Sequence, residues 1–457
     1  MRLNKSILLL MALFCLTKSY SNEYNILKYN AVGDGKTNNT KAIQNALDDC
    51  STQGGGTVIV PAGTFVTGMI ILKKNTDLHL KMGAELKADA AVPMFKSLVL
   101  IQNTENVSIT GFGVLNGNGK NFVIEESNPN RPYIVFVNNS RNVNISQVTL
   151  LNSPSWSLRL FNSEKIKIQR VTIYSHANYN NDGIDIDSRD VVISDCIVDS
   201  SDDALCLKSD NPKRFSENIT VTNSIFSSNC NFIKMGTSSF GGFKNVTISN
   251  CVLKKASESP LLDWRKKSNN SILDSITGIA GIALEIVDGG TMDQINISNI
   301  TMTGVQTPIF IRLGSRKNPT GTLKNVIISQ VVATAESKIT SSITAVPGFY
   351  VENVILKDMI FNLPGGGTSK DATRSIPEME KGYPENRMFG WSLPSYGFYI
   401  RHAKNIQLNN IRFNLKNEDQ RPAVWLEDVH DSSLNIGEKD ASNVKQINTS
   451  NVKINKL

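Results

Sequence analysis

The chain has 457 residues, of which 40% are hydrophobic and 19% are charged, a composition typical of soluble globular proteins. The formal net charge of +7 mildly favours an acidic partner, but the chain lacks the lysine- and arginine-rich runs of nucleic-acid-binding proteins. Beyond residue 21, no stretch approaches the about 18 apolar residues that a membrane-spanning helix needs. We therefore expect neither a nucleic-acid partner nor a membrane span.

The first 21 residues have the pattern of a secretory signal peptide. Arg2 and Lys5 precede an apolar run over residues 7–16, which is too short to cross a bilayer. Ser19 and Ser21 supply the small residues of a cleavage site after residue 21. We expect a secreted or periplasmic protein, with a membrane anchor as the alternative interpretation.

The cysteines beyond residue 21 argue against a disulfide framework and against a zinc site. Their number is odd and no two of them form a CxxC motif. We predict buried thiols and no bound metal or other cofactor. The five residues are Cys50, Cys196, Cys206, Cys230 and Cys251.

One pattern recurs along the chain: a polar residue, then alternating apolar residues, then Asn, Asp or Gln. Examples are NVNISQV from Asn142, NVTISNC from Asn245 and NIQLNNI from Asn405. Most copies begin 23 to 31 residues apart, and two intervals of 49 and 52 residues indicate insertions. Short β-branched strands at this period predict a β-solenoid, in which each coil buries its apolar face against the next. We expect the asparagines at the sixth position to form an internal turn ladder bonded to the backbone.

The repeat predicts an all-β chain with one catalytic domain over residues 22–457. Residues 22–88 read as a capping region, in which Thr40–Cys50 has helical spacing and can cover the open end of the solenoid. Residues 362–395 read as a long loop insertion. We expect this loop to be ordered because it carries the apolar residues Ile376, Met379, Met388, Phe389 and Trp391.

Superposing the coils places seven segments on one equivalent strand. Aliphatic residues flank a central residue in most of them, so the flanks point inward and the central residue points outward. We therefore predict a charged row on one outer face, although a solvated surface would show the same pattern. Its members are Arg159, Asp185, Cys206, Lys234, Glu285, Arg312 and Arg401.

Three positions upstream of this row, Asp182, Asp203 and Asn231 fall on successive coils, and Asp202 adjoins Asp203. Neighbouring coils lie about 4.8 Å apart, so three carboxylates are expected within one small patch. Like charges this close are costly unless one is protonated or a ligand fills the gap. Glycoside hydrolysis uses one protonated and one ionised carboxyl group. Calcium binding and solvated turn acids are the alternatives.

At these residues the chain resembles the polygalacturonase family, glycoside hydrolase family 28. VGDGKTNNTKAIQNAL and GGGTVIVPAGTF are similar to its amino-terminal part, Asn181-Asp182-Gly183 to its first catalytic motif and Ser201-Asp202-Asp203 to its second. The resemblance covers most of the mature chain and implies a single-stranded right-handed parallel β-helix. It also implies inverting hydrolysis of a pectic polysaccharide or oligosaccharide. Asp202 would then be the general acid, while Asp182 and Asp203 would hold and activate the water.

Two basic motifs of that family are missing. Its Gly-His-Gly motif falls at residues 230–232, which read Cys-Asn-Phe, and its Arg-Ile-Lys motif falls at residues 285–287, which read Glu-Ile-Val. In polygalacturonases these basic groups hold the carboxylate of galacturonate, so the loss favours a branched or hybrid pectin such as a rhamnogalacturonan. Lys234 would either bind a uronate or neutralise Glu285. The predicted substrate-binding residues are Asn231, Lys234, Glu285 and Arg312.

Two other functions stay open from the sequence. A pectate-lyase-like protein would perform β-elimination with calcium, a cluster of acids and a basic proton abstractor. A non-catalytic glycan-binding solenoid would explain the missing basic motifs, although the three intact carboxylates argue against it. We expect a monomer in each case.

Overall fold

The computed structural model describes residues 22–92, 96–125, 128, 130–258, 278–317 and 319–457. The signal peptide expected at residues 1–21 lies outside the described residues. Within the described ranges, no helix is both long enough and apolar enough to cross a membrane.

The described strands form a parallel β-helix. In one column of the stack, Val143 pairs with Ile166, Ile166 with Val191, and Val191 with Ile219, each one coil further along. All four side chains are buried, because alternate residues of each strand point into the solenoid. Crossovers between parallel strands are right-handed, and the stacked coils supply one continuous apolar core. The predicted right-handed parallel β-helix is confirmed.

The strands are numbered in chain order. The first part of the stack contains β1 (Glu23–Asn25), β2 (Asp34–Asn38), β3 (Gly56–Val60), β4 (Gly63–Thr67), β5 (Ile70–Leu72), β6 (Thr76–Leu80), β7 (Ala84–Ala88), β8 (Ser97–Gln102), β9 (Glu105–Gly111), β10 (Val114–Asn116), β11 (Tyr133–Asn138), β12 (Arg141–Ser146), β13 (Thr149–Leu151), β14 (Leu158–Gln169) and β15 (Thr172–Ser175). The second part contains β16 (Ile184–Ser194), β17 (Ile197–Ser200), β18 (Leu205–Ser209), β19 (Ser216–Thr222), β20 (Ile225–Ser228), β21 (Asn231–Ser239), β22 (Gly242–Lys255), β23 (Gly278–Ile286), β24 (Thr291–Leu313), β25 (Thr322–Ala335), β26 (Ser341–Thr344), β27 (Val351–Leu363), β28 (Phe398–Leu415), β29 (Val424–Ile436), β30 (Val444–Ile447) and β31 (Ser450–Lys456).

An amino-terminal helix caps the solenoid, as predicted. Helix α1 spans Thr40–Thr52 and buries Ile43, Ala46, Leu47 and Cys50 against the first coil. This contact covers apolar strand ends that would otherwise face water. The other described helices are short: 3₁₀ turns at Ile26–Tyr29 and Gly119–Asn121, and α-helices α2 (Ser369–Ala372) and α3 (Glu438–Ala441).

The turn asparagines form a ladder on the surface of the solenoid. Asn250 and Asn299 adopt left-handed backbone angles, with φ of 56° and 54°, which asparagine tolerates better than most residues. The Asn299 amide donates to Asn250 Oδ1 at 2.8 Å, so side chains bond from coil to coil. The expectation of an internal ladder bonded to the backbone is wrong. These side chains are exposed and pair with one another.

The five cysteines are free and buried, as predicted. Cys50, Cys196 and Cys251 belong to the apolar core, where burial raises the pKa of each thiol to about 11. Cys206 and Cys230 lie instead on the outer face of the stack, beside carboxylates. They therefore belong to the description of the site.

A long connection separates β27, which ends at Leu363, from β28, which begins at Phe398. We call residues 364–397 the wall loop. Its only helix among the described residues is α2, which opens with a capping box between Thr368 and Asp371. Phe389 and Leu393 of the loop are buried against Tyr399 of β28, so the loop is packed onto the solenoid.

Candidate active site

A cleft of about 680 Å³ lies on the outer face of β16, β18 and β21, against the wall loop. Acids, cations and aromatic side chains line it. They are Trp156, Asn180, Asp182, Asp202, Asp203, Lys208, Asp210, Cys230, Asn231, Lys234, Thr237, Ser238, Ile279, Arg316, Tyr383, Pro384, Glu385 and Arg387.

Backbone pairing between coils brings the predicted residues together. The amide of Gly183 donates to the carbonyl of Asp203 at 2.9 Å, and the amide of Ala204 donates to the carbonyl of Asn231 at 3.0 Å. Asp182, Asp203 and Asn231 therefore occupy successive coils, as the repeat predicts. Carboxylate oxygens of Asp182 and Asp203 lie within 4.8 Å of each other, as do oxygens of Asp202 and Asp203.

Asp203 is held as an anion. Lys234 Nζ lies 3.1 Å from its Oδ2, and the Asn231 side chain and backbone amides donate to its Oδ1 at 2.7 and 3.2 Å. Burial alone would raise the pKa of Asp203. Lys234, then Lys208 and the Asn231 hydrogen bond outweigh burial and lower the pKa of Asp203 to about 2.

The other two carboxyl groups shift the opposite way. Burial, and then repulsion from Asp203, raises the pKa of Asp202. Burial, followed by repulsion from Asp185 and Asp202, raises the pKa of Asp182 well above its usual range. Groups this close titrate as a unit, in which Asp203 ionises first and Asp182 and Asp202 share the proton that is lost last. The cluster thus contains an acid and an anion side by side.

Lys208 is a site residue that sequence reasoning missed. Its Nζ lies 3.1 Å from Asp185 Oδ1 and 3.8 Å from Asp182 Oδ2, and 4.7 Å from the ring centroid of Trp156. Strand alternation could have found it, because Lys208 is two residues beyond the outward-facing Cys206 on β18. It neutralises part of the charge that Asp182 and Asp185 bring into the cleft.

The wall loop contributes Tyr383, Pro384, Glu385 and Arg387 to the cleft. None of these residues was predicted as a site residue. They lie outside the coil repeat, so superposing coils gives them no position. Sequence alone indicated an ordered loop but gave no signal for where it docks.

The predicted charged row is correct up to Lys234 and wrong beyond it. Asp185 pairs with Cys206 and Cys206 with Lys234, but Lys234 then pairs with Ala283 and not with Glu285. Glu285 pairs with the next outward position, Arg312. The superposition of this coil is therefore two residues out of register.

Glu285 and Arg312 do not line the cleft, contrary to their assignment as substrate contacts. Arg312 is fully buried and donates to the carbonyls of Ala345, Glu378 and Met379 at 3.0 to 3.2 Å. It fastens the wall loop to the solenoid. Glu285 is 1% exposed, and its Oε2 has no hydrogen-bond partner among the described residues. Lys234 and Asn231 do line the cleft, where both contact Asp203.

Two groups at the cleft have metal-ligand spacing: Asp182, Asp203 and Cys206, and Asp202, Asp203 and Cys230. Both include a thiol whose pKa burial raises well above its usual range. Calcium takes six to eight oxygen ligands, so neither donor set fits it. The ammonium of Lys234 also sits directly on the shared carboxylate.

Glu285 makes the stability of the protein depend on pH. Burial raises the pKa of Glu285 to about 8, above its usual 4.5. A group with a raised folded pKa contributes stability that is fully present below its unfolded pKa and is lost as pH rises through the folded pKa. The wild type should lose a few kcal/mol of unfolding free energy between about pH 4.5 and 8, at about 1.4 kcal/mol per pKa unit. We expect Glu285→Gln to abolish this loss.

Urea denaturation at pH 5 and pH 8.5 measures this effect. The difference in unfolding free energy between the two pH values should be smaller in Glu285→Gln than in the wild type. Glu418→Gln alters an exposed glutamate and serves as the control. Equal pH dependence in all three proteins would show that Glu285 ionises normally.

A parallel β-helix that carries clustered, oppositely shifted carboxyl groups in an outer cleft is typical of polysaccharide-cleaving enzymes. Residues 50–381 match the model of the family described as Glycosyl hydrolases family 28. The chain belongs to this family, as its sequence motifs predict.

Curated relatives carry polygalacturonase names. A probable polygalacturonase from Vitis vinifera is 35% identical over 214 residues, 40% of this chain and 44% of the relative. An exopolygalacturonase from Zea mays is 26% identical over 341 residues, 66% of this chain and 76% of the relative. The chain spans about half the length of the first curated relatives it matches, namely 44% and 56%.

Solved structures share the fold. A hyperthermoactive exopolygalacturonase from Thermotoga maritima has a TM-score of 0.66 and 22% identity, over 86% of this chain and 92% of its own. PfbA, a surface adhesin of Streptococcus pneumoniae, has a TM-score of 0.63 and 17% identity, over 86% and 90%. At these identities the likeness shows the parallel β-helix and leaves activity to be argued from the site.

Proposed function

We propose that this protein hydrolyses O-glycosidic bonds in a pectic polysaccharide or oligosaccharide, with Asp182, Asp202 and Asp203 as catalytic residues. The observation that carries this proposal is the opposite pKa shifts within one cluster: raised at Asp202, lowered at Asp203. Such divergence places a proton donor beside a carboxylate that stays ionised. The polygalacturonase names of the relatives support a pectic substrate.

In the proposed mechanism, Asp202 donates its proton to the leaving glycosidic oxygen. Asp203, kept anionic by Lys234 and Asn231, orients the attacking water and stabilises positive charge at the anomeric carbon. When the proton shared by the two groups is on Asp202, Asp182 is ionised and accepts the proton of that water. The water oxygen becomes the hydroxyl of the new reducing end, and the leaving sugar keeps the proton from Asp202.

We expect inversion of the anomeric configuration. Inverting enzymes place the water between acid and base, whose carboxyl groups are roughly 6.5–9.5 Å apart. Asp182 and Asp202 lie on different coils, which fits such an arrangement better than the adjacent Asp202 and Asp203 do. Proton NMR during the first minutes of hydrolysis identifies the anomer before mutarotation. A first product with the configuration of the substrate would rule out this arrangement.

The lyase alternative fits the cleft poorly. Beta-elimination needs a neutral basic side chain to abstract a proton. Burial alone would lower the pKa of Lys234, but Asp203 outweighs burial and raises that pKa well above its usual range. Lys208 also has its pKa raised, because nearby acids outweigh burial. Both ammonium groups stay charged at neutral pH, so neither is a ready base.

Digestion of a panel of pectic oligosaccharides tests the proposal directly. Hydrolysis gives saturated products with new reducing ends. An unsaturated, ultraviolet-absorbing product would establish elimination, and binding without turnover would establish a non-catalytic solenoid. Galacturonan and rhamnogalacturonan substrates belong in the same panel, because the missing basic motifs favour a branched or hybrid pectin.

We further propose that residues 1–21 direct export, so that the enzyme acts outside the cytoplasm or in a periplasm, as a monomer. The charged start and short apolar run of this segment support export. Amino-terminal sequencing of the protein purified from its native source should begin at Asn22.

A further inference from the structure

Beyond Lys234, the outward-facing row of the solenoid is buried. Lys234 pairs with Ala283, Ala283 with Phe310, Phe310 with Ser342, and Ser342 with Tyr399, each one coil further on. These four partners are at most 1% exposed. Outward residues of a bare solenoid would face solvent, so another part of the chain must cover this row.

The wall loop is that cover. Met388 packs against Ala283 and Phe310, and Phe389 packs against Tyr399. The groove along the outer face is therefore filled with apolar side chains immediately after the coil of Lys234.

The cover is fastened at several points. The buried side-chain amide of Asn386 donates to Ile279 O at 3.0 Å, Thr307 Oγ1 at 3.0 Å and Gln306 Oε1 at 3.2 Å. Arg401 of β28 donates to the carbonyls of Ile376 and Pro377, both at 2.8 Å. Buried hydrogen bonds of this kind are expensive to break. The loop thus forms a fixed wall.

A glycan that lies along the stack of coils cannot pass this wall. We propose that the cleft is a chain-end pocket, in which a terminal acidic sugar abuts the wall loop and its carboxylate is held by Arg316 and Arg387. The inference rests on the proposed hydrolase function and deepens it. It predicts the release of short, uniform products from one end of a pectic chain.

The distribution of charge in the cleft supports binding of a terminal acidic sugar. Lys234 and Lys208 are paired with the carboxylates of the cluster. On the wall side, Arg387 Nη2 contacts Glu385 at 3.2 Å. The fourth cation among the described residues that line the cleft is Arg316, which pairs with the buried Asp288 and has its guanidinium carbon 5.8 Å from the ring centroid of Tyr383. The two lysines thus pair with Asp203 and Asp185, whereas the two arginines pair with acids outside the catalytic cluster.

Arg316 is also oriented. Its Nε and Nη2 donate to the buried Asp288 at 3.0 and 2.7 Å, and the residue lines the cleft. A planar guanidinium fixed in this way suits a carboxylate better than a flexible ammonium does. In this proposal, Arg316 and Arg387 take the place of the basic residues absent at positions 285 and 287.

Product sizing tests the chain-end pocket. The wild-type enzyme should release one product of constant size from polygalacturonate or a rhamnogalacturonan, with viscosity falling slowly relative to reducing ends. A random ladder of oligomers early in the reaction would overturn the proposal while leaving hydrolase activity established.

Arginine variants test whether the pocket recognises the carboxylate of the terminal sugar. Arg316→Gln and Arg387→Gln should lower kcat/KM on free-acid oligogalacturonides by about tenfold or more, mainly through KM. They should have little effect on methyl-esterified oligomers, so discrimination between the two substrates should collapse. Arg189→Gln, at an exposed arginine outside the cleft, is the control. Equal losses on both substrates would refute carboxylate recognition and indicate a structural role.

A binding measurement separates failure of the inference from failure of the proposed function. Asp202→Asn is titrated with oligogalacturonides that are free or chemically blocked at both ends. Binding only to chains with a free end supports the chain-end pocket even if no substrate is turned over. Equal binding of blocked chains would overturn it, whatever the activity of the wild type.

Discussion

Asp202→Asn should lower kcat by about 10²- to 10⁴-fold, the contribution typical of a general acid, with little change in KM. The amide cannot supply an acidic proton to the leaving oxygen. The fold should persist, because Asp202 lines the cleft and its carboxyl group accepts a local bond from the Asp203 amide at 2.9 Å and one from the Cys230 thiol, both of which an amide oxygen can also accept. Thermal melting measures this directly.

Two further measurements make the result specific. A pectic oligosaccharide with an activated leaving group needs less protonation, so the variant should recover much of its rate on such a substrate. Asp195→Asn, at an exposed acid in a turn, should match the wild type. Wild-type turnover of the natural substrate by Asp202→Asn would show that another group is the acid.

The sequence was sufficient to place the carboxylate cluster, because the repeat fixes which residues share a column. Asp182, Asp203 and Asn231 precede the outward row by the same number of residues on three consecutive coils. These coils differ in length, but each places its polar residue three positions before its outward residue, so aligning the strands also aligns the polar residues. The interior of the stack was predictable for the same reason.

The register beyond Lys234 was not predictable from alternation. A shift of two residues preserves which side chains point inward and which point outward. Residues 278–286 are apolar at nearly every position, so Ala283 and Glu285 are equally good outward candidates by pattern. Only pairing across the stack selects Ala283 as the partner of Lys234.

The contacts of the wall loop were also not predictable from the sequence. Its apolar residues indicate packing, but their partners, such as Ala283 and Phe310, occupy an outward row that the repeat assigns to solvent. A residue such as Arg312 then reads as an outward charge in sequence, although the loop buries it completely. Features outside the repeat thus change the role of residues inside it.

Lys234→Met should cost both stability and catalysis, because it removes the cation from Asp203. The two groups are buried and lie 3.1 Å apart, and breaking one side of a buried ion pair costs about 3–5 kcal/mol. The pKa of Asp203, about 2 with Lys234 present, should rise. The acid limb of kcat/KM should therefore move to higher pH, since a larger fraction of Asp203 is protonated at any given acidic pH.

The sign of the stability change is also fixed. A lowered folded pKa contributes stability that is present above the unfolded value of 3.8 and is lost as pH falls through about 2. The deficit of Lys234→Met relative to the wild type should thus be largest near neutral pH and shrink on acidification. Urea denaturation over a pH series measures it, with the exposed Lys213→Met as the control.

Double variants decide which acid Lys234 serves. If it chiefly balances Asp203, adding Asp203→Asn to Lys234→Met should restore much of the lost stability without restoring activity, whereas adding Glu285→Gln should restore little. The opposite pattern would assign Lys234 to Glu285, the pairing first considered from the sequence. The geometry favours Asp203, because its contact with Lys234 is a direct ion pair and Glu285 Oε2 has no hydrogen-bond partner among the described residues. A coupling energy near zero with both acids would mean that the ammonium acts on the substrate alone.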